Sequence, residues 1–118
     1  PMREIGTWGE VNRAIAYLET GRPELACPIT RVAWERAGRV LGDRHAAVAQ
    51  ARALLVLACV APNDRSGAAR ELGEVVPLLL TSRREIEDEA GTRPAQDQRL
   101  SLILRGYIWL QTDVAENA

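Results

Sequence analysis

The sequence predicts an all-α protein of about five helices, arranged as antiparallel pairs. Apolar residues recur at helical spacing through most of the chain, and turn signals near residues 21–23, 42–43 and 62–64 separate the helical segments. A two-helix unit also recurs after a shift of 43 residues, which is typical of stacked helix pairs. A chain of 118 residues has room for one domain, so we expect a single helical-repeat domain over residues 1–118.

The first helix pair is predicted over residues 8–41. Val11, Ile15 and Leu18 share one side of its first helix, and Gly21 follows where a left-handed residue ends a helix. In the second helix, from residue 24, Pro28 falls in the first turn, where a missing N–H is tolerated. Its predicted apolar face is interrupted only by Arg36 and otherwise carries the larger residues Leu25, Ile29, Val32 and Val40 together with Ala33 and Ala37.

The second pair is predicted over residues 44–84. The helix from 44 to about 60 is apolar almost all round, so we expect other helices to surround it. The next helix follows a turn in which Asp64 or Ser66 is the expected N-cap, and Pro77 predicts a kink or an early end. Shifting the second helix by 43 residues superposes its apolar positions on those of the fourth, which indicates a repeated unit.

The last part of the chain is predicted to hold an acidic loop and one further helix. Four acidic residues in residues 85–89 repel one another, and Gly91 and Pro94 disfavour regular structure, so residues 85–94 are expected to form a solvated loop. The fifth helix, residues 95–114, either caps the two pairs or begins a third pair.

Two short motifs resemble the tetratricopeptide repeat in its long, kinesin-light-chain-like form. Residues 21–26, GRPELA, are similar to the family's turn between paired helices. Residues 41–45, LGDRH, followed by Val48 and Ala49, are similar to the junction of the longer repeats, with Ala46 where proline is usual. The second turn departs from the family pattern, because Pro62 and Asn63 replace its glycine. The resemblance covers residues 8–84 and implies a scaffold that binds proteins or peptides.

The last third of the chain carries a narrower resemblance. Residues 75–80, VVPLLL, and residues 99–108, RLSLILRGYI, are similar to repeats that precede CHAT protease domains in bacterial multidomain proteins. This resemblance implies a recognition or regulatory part of a larger bacterial signalling system.

Composition bounds the function and the location. The 15 basic and 16 acidic residues nearly balance, whereas nucleic-acid and anionic-membrane binding both require a basic surplus. No apolar run approaches the ~20 residues that span a bilayer, and no signal peptide opens the sequence, so we expect a cytoplasmic protein. Cys27 and Cys59 each lie in an apolar run, and we expect two separate, buried, reduced thiols.

The sequence carries no pattern typical of catalysis or metal binding. His45 and Cys59 are predicted on opposite faces of one helix, too far apart for a base and its nucleophile. The acidic residues 87–89 lack the ligand spacing of a calcium loop. We therefore predict no catalytic residue, no metal site and no cofactor, and a protein that is not an enzyme.

Protein or peptide binding is the predicted function. In stacked helix pairs the first helix of each pair lines a concave groove, and arginine there can hold a carboxylate of an acidic peptide. The predicted groove residues are Arg13, Tyr17, His45, Gln50, Arg52 and Arg105.

Two alternatives remain open at the level of sequence. The first is a small all-α regulatory domain that holds an apolar ligand in a central cavity. The second is self-association through an unpaired fifth helix, because an exposed apolar face of that size tends to be covered. The residues predicted for that face are Leu104, Tyr107, Ile108 and Leu110.

Overall fold

Over the residues that it describes, 2–42, 46–81 and 93–116, the computed structural model contains five helices and no strand. Side chains are described for residues 10–42, 46–80 and 98–116. The helices are α1 (Met2–Glu19), α2 (Pro23–Leu41), α3 (Ala46–Leu55, extended by a π-helical segment, Val56–Val60), α4 (Arg65–Thr81) and α5 (Arg93–Glu116). The all-α prediction is confirmed.

Helix α3 lies at the centre of the molecule and contacts α2, α4 and α5. Its contacts with α5 place Gln50 beside Arg99 and Leu57 beside Gly106, so the two helices run parallel. Helix α4 runs in the opposite direction to both. The predicted surrounding of the third helix by others is confirmed, since most of its residues are buried.

One continuous apolar core draws residues from all five helices. Its fully buried large side chains are Leu54, Val56, Leu72, Val75, Leu79, Ile103 and Leu110. A smaller cluster of Ala14, Ala26 and Ala58 lies where α1, α2 and α3 meet. The small side chains of that cluster let the three backbones approach closely.

Two of the predicted helix ends are confirmed in detail. Gly21 has a positive φ of 75°, and the N–H of Arg22 donates to the Tyr17 carbonyl over 2.7 Å, which closes the end of α1. At the start of α4, the Gly67 N–H donates to Asp64 Oδ1 over 2.9 Å. Asp64, and not Ser66, is therefore the residue whose side chain caps α4.

Prolines in three helices are placed differently from the sequence prediction. Helix α2 begins at Pro23, so Pro28 lies in its second turn and removes the N–H that would pair with the Glu24 carbonyl. Helix α4 continues through Pro77 for about one turn and ends at Thr81. Helix α5 begins at Arg93, with Pro94 in its first turn, and residues 85–92 of the expected acidic loop lie outside the described residues.

The prediction of two separate thiols is wrong. Cys27 and Cys59 are joined by a disulfide whose Cα atoms are 5.0 Å apart, and both residues are only half-buried. Helices α2 and α3 form an antiparallel pair across the connection at residues 42–45. Positions 27 and 59 are within one residue of the same distance from the middle of that connection, so they lie opposite each other.

Candidate partner-binding surfaces

The six predicted groove residues do not gather on one surface. Ile15 packs in the main core, and Arg13, two residues earlier and roughly 200° around α1, is exposed on the opposite side. Tyr17, one turn further, is half-buried against the Ala14–Ala26–Ala58 cluster. The two side chains therefore do not share a surface with each other.

Gln50 belongs to the interior. It is 3% exposed, and its Oε1 accepts a hydrogen bond of 3.1 Å from Nε of Arg99, which is itself 7% exposed. Burial lowers the pKa of the Arg99 guanidinium, because desolvation penalises its charged form. This polar pair fastens α5 to α3.

The remaining groove arginines lie apart from one another. Arg52 is roughly 200° around α3 from Gln50 and forms a long ion pair of 3.6 Å with Glu74 on α4. Arg105 is exposed on α5, where its Nε donates to the Ser101 carbonyl of its own helix. His45 lies outside the described residues.

The predicted self-association face of α5 is partly inside the molecule. Leu110 is fully buried, and Tyr107 is half-buried, with its hydroxyl accepting a hydrogen bond of 3.0 Å from Gln111. Ile108 is 61% exposed, and Leu104, one turn before it, is half-buried. Of the four residues, Ile108 is the exposed one, whereas Leu104 and Tyr107 both pack partly against the core.

Trp109 is exposed on α5 but has a partner within the chain. The Arg65 guanidinium lies 5.2 Å from the centre of its ring, and the same guanidinium contacts both carboxylate oxygens of Asp113 at 3.0–3.1 Å. The arrangement ties the start of α4 to the end of α5.

An exposed apolar surface on α2 was not predicted from the sequence. The buried side of α2 carries the small residues Ala26, Thr30 and Ala33, whereas Leu25 and Val32 are 42% and 39% exposed. The large residues that were expected to face the core, Leu25 and Val32 among them, therefore face solvent. We name the α2 stripe for the residues that share this outer side: Leu25, Pro28, Ile29, Val32, Arg36 and Arg39.

The α2 stripe carries positive charge at its C-terminal half. Among the described residues, neither Arg36 nor Arg39 forms an ion pair with a carboxylate, and both are exposed. Glu35 is the acidic residue closest to them in the sequence. The surface thus combines apolar side chains near Pro28 with two guanidinium groups that are available for an anionic partner.

No protein-family model, curated protein or solved structure matches this chain. The likeness to tetratricopeptide repeats therefore rests on the short motifs at residues 21–26 and 41–49.

No group of three or more His, Cys, Asp or Glu side chains in the described part of the chain is placed to hold a metal ion. Within the same part, no helix has the length and apolar character needed to cross a membrane.

Proposed function

We propose that this protein is a non-enzymatic interaction module that binds an acidic, amphipathic segment of another protein along the α2 stripe. The observation that carries this proposal is the exposure of Leu25 and Val32 beside two arginines that form no ion pair among the described residues, on a helix whose other side is fixed in the core. A rigid helix with an apolar and charged outer face is a suitable template for a partner helix.

The geometry favours the outer side of α2 over the groove expected from the sequence. Of the predicted groove residues, Gln50 is buried and Arg52 has an acidic neighbour, and the exposed Arg13 and Arg105 lie on separate helices. Leu25 and Val32, seven residues apart, match the spacing of two anchor residues on one side of a partner helix. Carboxylates one or two turns beyond those anchors would reach Arg36 and Arg39.

The assignment of the whole chain to a helical-repeat fold is also a proposal. We infer a tetratricopeptide-like array of helix pairs, with α1–α2 and α3–α4 as two units and α5 as the first helix of a third. The parallel course of α3 and α5 supports this interpretation. A cytoplasmic location and a regulatory role in a larger bacterial system are the accompanying proposals.

Self-association through α5 is the second candidate, and one observation favours it. Ile108 is the most exposed large apolar residue of α5, and Leu104 extends its surface by one turn. The ligand-binding alternative has less support, because Leu54 and Val56 of α3 are fully engaged in the core.

A binding experiment with designed peptides tests the proposal. The probe is a fluorescent amphipathic helical peptide with leucine anchors and glutamates beside them, and its lysine counterpart serves as the charge control. Fluorescence anisotropy should show binding of the glutamate peptide only. Val32→Asp should weaken it about tenfold or more, because burial of a valine contributes about 1.5 kcal/mol. Arg36→Glu with Arg39→Glu should weaken it similarly.

Matched variants distinguish the two surfaces. Ile108→Asp and Arg105→Glu make comparable apolar-to-acid and charge-reversal changes on α5 and should leave peptide binding unchanged, with circular dichroism confirming the helical fold of every variant. Loss of binding in the α5 variants alone would contradict the α2 assignment. Failure of every variant to alter binding would contradict both surfaces. Light scattering over a concentration series, with Ile108→Asp as the comparison, tests self-association separately.

A further inference from the structure

The disulfide between Cys27 and Cys59 lies at an irregular point of the fold. Cys59 belongs to the π-helical segment Val56–Val60, where the Ala61 N–H donates to the Val56 carbonyl over 2.9 Å. Cys27 lies in the second turn of α2. The bond therefore joins α2 to the one described segment in which α3 departs from α-helical pairing, and such segments frequently occur at functional sites.

Polar side chains surround the two sulfur atoms. Nη2 of Arg31 lies 3.7 Å from Cys27 Sγ, and the Thr30 hydroxyl lies 3.9 Å from Cys59 Sγ. The Thr30 hydroxyl also donates to the Cys27 carbonyl over 2.9 Å, which holds it beside the sulfurs. Tyr17 of α1 packs against the cluster of Ala14, Ala26 and Ala58, as the two cysteines do. A cation beside one sulfur stabilises its thiolate.

We propose that Cys27–Cys59 is a site of reversible thiol–disulfide exchange with a small monothiol. Both cysteines are half-buried, so a small thiolate can reach the bond without unfolding of the domain. Arg31 makes Cys27 the better leaving group, because exchange is faster when the departing thiolate is stabilised. Arg31 acts through Cys27 and is a positioning residue of this site.

The exchange proceeds in two balanced steps. The incoming thiolate attacks Cys59 Sγ, which forms a mixed disulfide on Cys59 and expels Cys27 as a thiolate beside Arg31. A second thiolate then attacks the sulfur of the bound monothiol, releases the Cys59 thiolate and leaves as a symmetrical disulfide. The protein disulfide gains two electrons, and the two monothiol molecules lose them.

The disulfide is a reversible cross-link between α2 and α3. When it is closed, the start of α2 is fixed to the end of α3. When it is open, the core contacts of Ala26 and Ala33 still hold α2 in place, so the domain keeps its fold while α2 gains freedom near residue 27. The inference does not rest on the proposed peptide-binding function.

Equilibration of the full chain in glutathione buffers tests this proposal. Samples at a series of reduced-to-oxidised ratios are quenched with an alkylating reagent, and mass spectrometry then counts the free thiols. We expect the disulfide to open in millimolar reduced glutathione with unchanged circular dichroism. Early in the reaction, peptide mapping should locate glutathione on Cys59.

Substitutions of arginine make the experiment specific. Arg31→Gln should shift the midpoint about twofold to fivefold toward the closed disulfide, which corresponds to a partly exposed charge interaction. Arg31→Lys should retain most of the wild-type midpoint. Arg70→Gln removes an exposed arginine of α4, outside this site, and should leave the midpoint unchanged.

Several outcomes would overturn the proposal. A disulfide that opens only in denaturant, or a reduced chain that loses its helices, would show a purely structural cross-link. Glutathione attached to Cys27 would contradict the proposed leaving group. Equal midpoints for the wild type and Arg31→Gln would remove Arg31 from the site.

Discussion

The contact between Gln50 and Arg99 joins two polar side chains inside an otherwise apolar interior. Burying a guanidinium is costly unless its donors find acceptors, and Gln50 Oε1 is one of them. The sequence pattern does not predict this contact, because it depends on how α5 packs against α3. A second glutamine, Gln98, directly precedes Arg99 and is exposed to solvent.

Gln50→Leu should lower the free energy of unfolding by about 1–3 kcal/mol, because the volume is kept while the buried guanidinium loses one acceptor. Urea denaturation followed by circular dichroism measures the change. Gln98→Leu, at the exposed position, is the control and should alter stability by less than about 0.5 kcal/mol. Equal effects of the two substitutions would contradict the structural role of the buried pair.

The cap of α4 gives a second prediction at the scale of single residues. Asp64→Ala should destabilise the protein by about 1 kcal/mol, because the Gly67 N–H then loses its side-chain acceptor. Ser66→Ala, in the adjacent turn, should have little effect. Thermal unfolding of the two variants checks the expectation. A larger loss at Ser66 would indicate that the helix starts at a different residue.

Residues whose roles depend on local sequence were predictable, and residues whose roles depend on packing were not. Gly21 and Asp64 end and begin helices through contacts within a few positions, so the pattern alone indicates them. The Cys27–Cys59 pair needs the additional knowledge that α2 and α3 are antiparallel about residues 42–45. With that pairing already predicted, counting outward from the turn would have placed the two cysteines opposite each other.

At the scale of elements, α2 shows why hydrophobic spacing alone misassigned a face. Large residues at 25, 29 and 32 have helical spacing, but α2 packs closely against both α1 and α3, which favours small side chains inward. Ala26, Thr30 and Ala33 supply that surface. Arg36, which interrupts the stripe of large residues, was the sequence signal that this side faces solvent.

Helix α5 approaches α3 closely at Gly106. A Cβ added there would lie 2.8 Å from Cδ2 of Leu57. Gly106→Leu should therefore separate the helices and lower the free energy of unfolding by about 1–3 kcal/mol, despite leucine's higher helix propensity.

Ala115→Leu adds a similar side chain to an exposed position of α5 and is the matched control for Gly106→Leu. Urea denaturation compares the two variants. Increased stability of Gly106→Leu would show that Leu57 moves aside at little cost.

At the scale of the whole molecule, the disulfide closes a long loop around the connection between α2 and α3. Its cysteines are 32 residues apart, and closing such a loop removes entropy from the unfolded chain. The double substitution Cys27→Ala and Cys59→Ala should lower the free energy of unfolding by about 2–4 kcal/mol while the five helices persist.

Denaturation of the oxidised protein with and without reductant should show a similar difference in stability. The double variant should not respond to reductant, which separates the effect of the bond from other effects of the reagent. A response of the double variant would indicate that the reductant acts elsewhere.

The π-helical segment at Val56–Val60 also lets α3 absorb one extra residue without changing the direction in which the chain leaves the helix. Each residue of an α-helix turns the chain by roughly 100°, and a π turn accommodates one residue more than an α turn does. Deleting one residue between 56 and 60 would allow α3 to remain a continuous helix. Such a shortened chain would keep its helical content, and Asp64 and α4 would leave α3 in nearly the same direction, because the residue removed is the extra one that the π turn accommodates.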